Sequence, residues 1–190
     1  MNKNTKLYIA KHECGHALIA LAYGSTFINV EIGDDVQTTR IDLSTMISGT
    51  TLGGVVRGVG GGLNDHEFVI SKMGGVAGER ANRSTAGTFT FVDILRGAEI
   101  DYKDAVSICT TDHIRSHAQK AKTPDRYLNE CLKEAHNIIV FHKSAHTALV
   151  EALLQHNFLT YAECLSIWNQ YLLGSDATAA RPEIQAGKVE

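Results

Sequence analysis

Hydrophobic residues recur at three- and four-residue steps along most of the chain, a spacing typical of helices that bury one side. The clearest such pattern covers residues 5–23, and Gly24 follows it as a terminator. Alternating polar and apolar positions at 27–32, and an extended run at 50–57, predict two strands of a small, mostly antiparallel sheet. We therefore expect an α+β fold that is mainly α-helical. The further helices are predicted at about 64–82, 101–121, 124–156 with one bend or break, and 160–173.

Length and composition indicate one ordinary globular domain over residues 1–173, followed by a disordered tail over 174–190. The net charge of −3 leaves no basic field for a polyanion, so we expect no nucleic-acid partner. No stretch approaches the ~20 apolar residues that span a bilayer, and no export signal is evident, so we expect a cytoplasmic protein without a membrane span. The widely spaced cysteines predict buried, reduced thiols. They are Cys14, Cys109, Cys131 and Cys164.

The first predicted helix contains the sequence His12-Glu-Cys-Gly-His16, a His-Glu-x-x-His motif. Residues four apart lie one turn above each other, so both imidazoles can reach one cation. Two neutral imidazoles and a carboxylate suit Zn²⁺, with the fourth position open for a water whose pKa falls to about 7. Glu13 would accept that water's proton and pass it to the leaving amine. The alternative is a helix face with ordinary polar side chains.

Residues 11–20, Lys-His-Glu-Cys-Gly-His-Ala-Leu-Ile-Ala, closely resemble the zinc helix of the FtsH family of ATP-dependent zinc metalloproteases. Three later segments resemble that family in the same order: Leu52-Gly-Gly-Val55, Met73-Gly-Gly-Val-Ala-Gly-Glu79 and Gly97-Ala-Glu-Ile-Asp101-Tyr-Lys-Asp-Ala105. The resemblance covers about residues 8–170 and implies an FtsH-like peptidase domain, with the small antiparallel sheet packed beside the zinc helix. The family's membrane segments and its ATPase module have no counterpart in the sequence.

The resemblance also implies site residues. Carried over, the family's third zinc ligand falls on Asp101, which the chain order also permits as a helix N-cap, and the two roles need not exclude each other. Glu79 would either support a ligand imidazole or form a salt bridge with Arg83, four residues on. The segment Leu52, Gly53, Gly54 and Val55 would either bind substrate backbone by strand addition or form a protected edge strand.

Two other histidine pairs share the one-turn spacing, His113 with His117 and His142 with His146. Neither pair has a glutamate directly after its first histidine, so neither supplies the base of a hydrolase. We expect exposed or helix-packing histidines there, with a second metal site as the minor alternative.

The sequence thus predicts a zinc metalloendopeptidase that hydrolyses peptides or unfolded proteins without an ATPase of its own. His12, His16 and Asp101 would hold the metal, and Glu13 would activate water to attack a peptide carbonyl. The alternative is a catalytically silent zinc-binding module that pairs with an ATPase or another partner. The resemblance allows a homo-hexamer or a separate ATPase partner.

Overall fold

The polypeptide folds mainly into helices, with a small sheet beside the first of them. The computed structural model describes residues 3–33, 37–41, 46–50, 53–57, 62–94, 98–109 and 123–174. Over these ranges the expected α+β, mainly α-helical fold is confirmed. The helices are α1 (Lys3–Ala22), α2 (Asp65–Glu79), the single turn α3 (Phe91–Asp93), α4 (Glu99–Cys109), α5 (Pro124–Phe141), α6 (Lys143–His156) and α7 (Tyr161–Gly174). The strands are β1 (Asn29–Gly33), β2 (Gln37–Ile41), β3 (Met46–Thr50), β4 (Gly53–Arg57) and β5 (Phe158–Thr160).

The main sheet has the order β4-β1-β5, and both of its strand pairs are antiparallel. In its register Val30 lies opposite both Val56 and Leu159, so a buried position of β1 is shared by the two neighbours. β2 and β3 form a separate antiparallel pair. The strand predicted at 50–57 is therefore divided, since Thr50 ends β3 and β4 begins at Gly53. β5 has only three residues, too short to show an alternating pattern in the sequence.

Helix α2 begins at a capping box formed by Asn64 and Glu67. The Asn64 side chain accepts a hydrogen bond from the Glu67 backbone N–H (3.0 Å), and the Glu67 carboxylate accepts one from Asn64 N–H (2.9 Å). This reciprocal capping box satisfies two backbone donors at the helix start. The helix ends at Glu79 and not near residue 82, because the chain turns at Arg80, whose guanidinium is buried against Asp93 and the Ala86 carbonyl.

The long helical pattern predicted over 124–156 is broken once, at His142, which separates α5 from α6. Thr123 caps α5 by accepting a hydrogen bond from Arg126 N–H (3.3 Å), and Pro124 occupies the first turn, where its missing donor costs nothing. The His142 ring packs on Trp168 of α7, with ring centroids 4.4 Å apart. Packing at the break thus joins three consecutive helices.

Glycines bring α1 and α2 into close backbone contact. A Cβ added to Gly15 would lie 2.2 Å from the carbonyl oxygen of Gly74, and one added to Gly78 would lie 2.3 Å from the carbonyl oxygen of Lys11. These backbones can approach only because neither helix carries side chains at the crossing. The consequence is that α1 is fully buried along most of one face.

Parts of several predicted elements lie outside the described residues. These are Leu52, the predicted helix beyond Cys109, and the tail beyond Gly174. Among the helices that are described, none is long and apolar enough to cross a membrane. The four cysteines are free thiols and all are buried, as expected.

Candidate metal centre

Two histidines of α1 and one aspartate of α4 converge on a single point. The Nε2 atoms of His12 and His16 each lie 3.1 Å from Oδ2 of Asp101. The imidazole centroids are 4.8 Å apart, as expected for rings one helical turn apart. In the described part of the chain this is the one group of three His, Cys, Asp or Glu residues whose ligand atoms all lie within 4.8 Å of one another. The structure therefore brings Asp101 to the predicted pair from 89 positions away.

The outer nitrogens of both imidazoles have acceptors. His12 Nδ1 donates to Oε1 of Glu79 (2.7 Å), and His16 Nδ1 donates to the backbone carbonyl of Ser71 (2.6 Å). Glu79 is held in turn by the Tyr8 hydroxyl, which donates to its Oε2. With Nδ1 protonated, Nε2 is the nitrogen that can offer a lone pair to a metal once it has lost its own proton, and in both rings Nε2 faces Asp101. This is the arrangement of metal-binding histidines, whose second nitrogen usually donates to a carboxylate or a carbonyl.

The donor set fits zinc. Zinc binds imidazole nitrogen and carboxylate oxygen at about 2.0–2.2 Å, and the three candidate donor atoms lie within 4.8 Å of one another. Three protein ligands of the His₂-carboxylate type also leave a fourth position for water or substrate, which is the pattern of catalytic zinc sites. The residues that could hold the metal are therefore His12, His16 and Asp101.

Burial and nearby charges have opposite effects on the pKa values of His12 and Asp101, and in both residues the charges dominate. Burial by itself lowers the pKa of His12, but its hydrogen bonds to Asp101 and Glu79 outweigh this and hold its pKa well above 6.5. Burial raises the pKa of Asp101, yet His16, His12 and Lys72 together bring its pKa well below 3.8. A carboxylate that stays ionised beside a protonated imidazole means that a proton and a metal ion compete for His12 Nε2.

Glu13 follows His12 on α1, is only 8% exposed, and interacts electrostatically with all three candidate ligands. Burial raises the pKa of its carboxyl group above 4.5, and the charges of His12 and His16 partly offset the rise. A general base works best when its pKa lies closer to neutrality than that of an ordinary carboxylate. The position and the direction of this shift suit Glu13 to proton transfer at the centre.

Lys72, for which no role is predicted from the sequence, joins α2 to α4 next to the candidate ligands. Its ammonium lies 3.0 Å from Oδ2 of Asp104 and 3.6 Å from Oδ1 of Asp101. Burial lowers the pKa of Lys72, but the two aspartates more than compensate and raise its pKa above 10.5. The sequence does contain one indication of a shared cation, the i,i+3 spacing of Asp101 and Asp104. This spacing places both carboxylates on one face of α4.

Position excludes the N-cap role for Asp101 and identifies the partner of Glu79. Asp101 lies within the first turn of α4, which begins at Glu99, so the interpretation of Asp101 as a helix N-cap is wrong. Its carboxylate instead faces the histidines of α1. Glu79 takes the first of its two predicted partners, since it contacts His12 and not Arg83.

The segment predicted to bind substrate lies at an edge of the sheet. Gly53, Gly54 and Val55 belong to β4, which pairs with β1 on one side and contacts α1. In the strand order of the described residues β4 is terminal, so its other edge has no strand partner there. Leu52 lies outside the described residues.

The other histidine pairs do not form a second metal group among the described residues. His146 is buried and its Nε2 donates to the backbone carbonyl of Lys11 (3.2 Å), so it packs α6 against α1. His142 packs on Trp168. This pair is therefore helix-packing, as expected. His113 and His117 lie outside the described residues.

We expect His146 to make folding stability depend on pH. Burial lowers its pKa to about 4, against 6.5 for an ordinary histidine, so between these values the unfolded chain binds a proton that the folded protein does not. The free energy of unfolding therefore decreases as the pH falls from 6.5 toward 4. His146 accounts for at most about 3 kcal/mol of that decrease.

We expect the free energy of unfolding, measured in urea, to fall less steeply between pH 6.5 and 4.5 in His146→Gln than in the wild type. His156→Gln, which changes an exposed histidine of the same helix, provides the control. The same slope in His146→Gln and the wild type would contradict this assignment.

Comparison with known proteins provides no independent assignment. No protein-family model matches the chain, and no curated protein matches it significantly.

Proposed function

We propose that the chain is a zinc-dependent metallopeptidase that hydrolyses peptide bonds in peptides or unfolded protein segments. The observation that carries the proposal is the convergence of His12, His16 and Asp101 on one point, with Glu13 beside it. The acceptors on both outer imidazole nitrogens support it, since a site that binds a metal must orient its ligands. The resemblance of four segments to FtsH proteases supports the same reaction class.

Each side chain has a separate task in the proposed reaction. His12, His16 and Asp101 hold the metal, and Glu79 and the Ser71 carbonyl orient the two imidazoles. Zinc, when bound, supplies a Lewis acid that polarises the scissile carbonyl and makes water more acidic. Glu13 accepts the proton of the attacking water and delivers it to the leaving amine. Partial burial of these groups strengthens the electrostatic interactions on which the proton transfer depends.

The sheet edge indicates how a substrate would lie. An extended peptide can add to β4 as a further strand, because backbone hydrogen bonding is available to any sequence that is unfolded. This favours unfolded segments over folded proteins. An ATP-driven partner would be needed for substrates that must first be unfolded.

Hydrolysis of unfolded casein by the zinc-loaded protein, measured beside Glu13→Gln, tests this function. We expect cleavage by the wild type and almost none by the variant. If both proteins bind zinc and both are inert, the peptidase proposal is wrong and a zinc-binding module without turnover takes its place.

The ligand assignment has its own test. Asp101→Ala removes one of three donors, and we expect it to lower zinc affinity by at least about 100-fold, because loss of a direct ligand should exceed the 10–100-fold typical of supporting residues. Zinc content after dialysis and competition with a chromophoric chelator measure this. Asp125→Ala, which changes an exposed aspartate at the start of α5, is the matched control. Unchanged stoichiometry and affinity in Asp101→Ala would remove Asp101 from the site.

A further inference from the structure

The two oxygens of the Asp101 carboxylate have different partners. Oδ2 lies 3.1 Å from the Nε2 atom of each histidine, whereas Oδ1 faces the ammonium of Lys72 at 3.6 Å. The Asp101 side chain is 13% exposed and that of Lys72 is 23% exposed, so the contact is well shielded from bulk water. With the imidazoles at Oδ2 and the ammonium at Oδ1, the carboxylate is held in one orientation.

The ammonium is itself fixed from two further directions. Asp104 Oδ2 lies 3.0 Å from it, and the Phe68 ring lies beneath it at 5.4 Å from the ring centroid. Phe68 and Lys72 are four residues apart on α2, and the two aspartates are three apart on α4, so each pair occupies one helix face. Lys72 therefore bridges the helix that carries the third ligand to the helix that supports the histidines.

We propose that Lys72 is a positioning residue of the metal site, which holds Oδ1 of Asp101 so that Oδ2 alone is presented to the metal. The inference rests on the proposed metal site. Without the ammonium, Oδ1 is free to turn toward the cation, and the nearby carboxylates of Asp101 and Asp104 repel each other uncompensated. Lys72 thus favours monodentate binding by Asp101 and keeps a coordination position open for the reaction.

Metal affinity provides the test, with Zn²⁺ alone as the probe in chelator competition. Lys72→Met keeps an unbranched side chain, one atom shorter, and removes its charge, and we expect it to weaken zinc binding by about 10–100-fold, the range found for residues that support metal ligands. Lys72→Arg keeps the charge and should bind zinc within about 3-fold of the wild type. Lys103→Met is the matched control, because Lys103 pairs with Glu99 on α4 at the surface, where both side chains are more than half exposed.

A spectroscopic measurement separates orientation from general stability. Co²⁺ can replace zinc in such sites, and its visible absorption weakens as its coordination rises above four. We expect weaker absorption per bound Co²⁺ in Lys72→Met than in the wild type, Lys72→Arg or Lys103→Met. Circular dichroism and urea unfolding establish that each variant is folded. If Lys72→Met does not fold, Lys72→Gln is measured in its place.

Wild-type affinity and an unchanged Co²⁺ spectrum in the folded, uncharged variant would overturn the role of Lys72, as would an equal loss in Lys103→Met. A wild type that binds zinc but shows no Glu13-dependent cleavage would disprove the peptidase function and leave the role of Lys72 standing. A wild type that binds no zinc would disprove both.

Discussion

Glu13→Gln is expected to lower the rate of casein hydrolysis by about 10²–10⁴-fold, the contribution usual for a positioned general base. The amide has nearly the same shape as the carboxylate but cannot accept the proton of the attacking water. Glu13 is not one of the three converging ligands, so bound zinc should stay at the wild-type level. The measurement is the initial rate of cleavage of fluorescently labelled casein at matched zinc occupancy.

Two comparisons make this result specific to the base. Glu151→Gln is the same chemical change at an exposed position of α6, and it should retain wild-type activity. Zinc content shows whether a loss of rate comes from loss of the metal. Full activity in zinc-loaded Glu13→Gln would exclude Glu13 as the base.

Gly15→Ala is expected to destabilise the protein by about 3 kcal/mol, at the upper end of the usual cost of overpacking. The new methyl group would lie 2.2 Å from the Gly74 carbonyl oxygen, which belongs to the backbone of α2 and cannot turn aside. In an exposed helix the same change would stabilise by about 1 kcal/mol, so the sign of the effect reports the helix contact. Urea unfolding followed by circular dichroism measures it.

Two variants complete this comparison. Ser166→Ala places alanine at an exposed position of α7 and should change stability by less than about 0.5 kcal/mol. Gly75→Ala places a methyl group 2.3 Å from His12 Nε2, so it should also weaken zinc binding by displacing the ring. A stable Gly15→Ala protein would mean that α1 and α2 do not approach as closely as described.

Several local features could be predicted from neighbouring residues alone. The one-turn spacing of His12 and His16 places both imidazoles on one face of any helix that contains them. Asn64 and Glu67 form a capping box because their side chains satisfy donors within the same turn. Thr123 and Pro124 mark the start of α5 for the same local reason. Short β5 carries no such local pattern, since its pairing is with a strand far away in the sequence.

The candidate site also combines features that depend on neighbouring residues with features that depend on distant ones. The sequence by itself determined that two histidines and a glutamate occupy one turn of α1, because helical periodicity depends only on residues within a few positions of one another. Only the tertiary structure decided that Asp101 completes the group, that Glu79 contacts His12 and that Lys72 faces Oδ1 of Asp101, the oxygen directed away from the histidines. These contacts depend on how closely α1 packs against α2, which the glycines at their crossing permit, and on where α4 then lies.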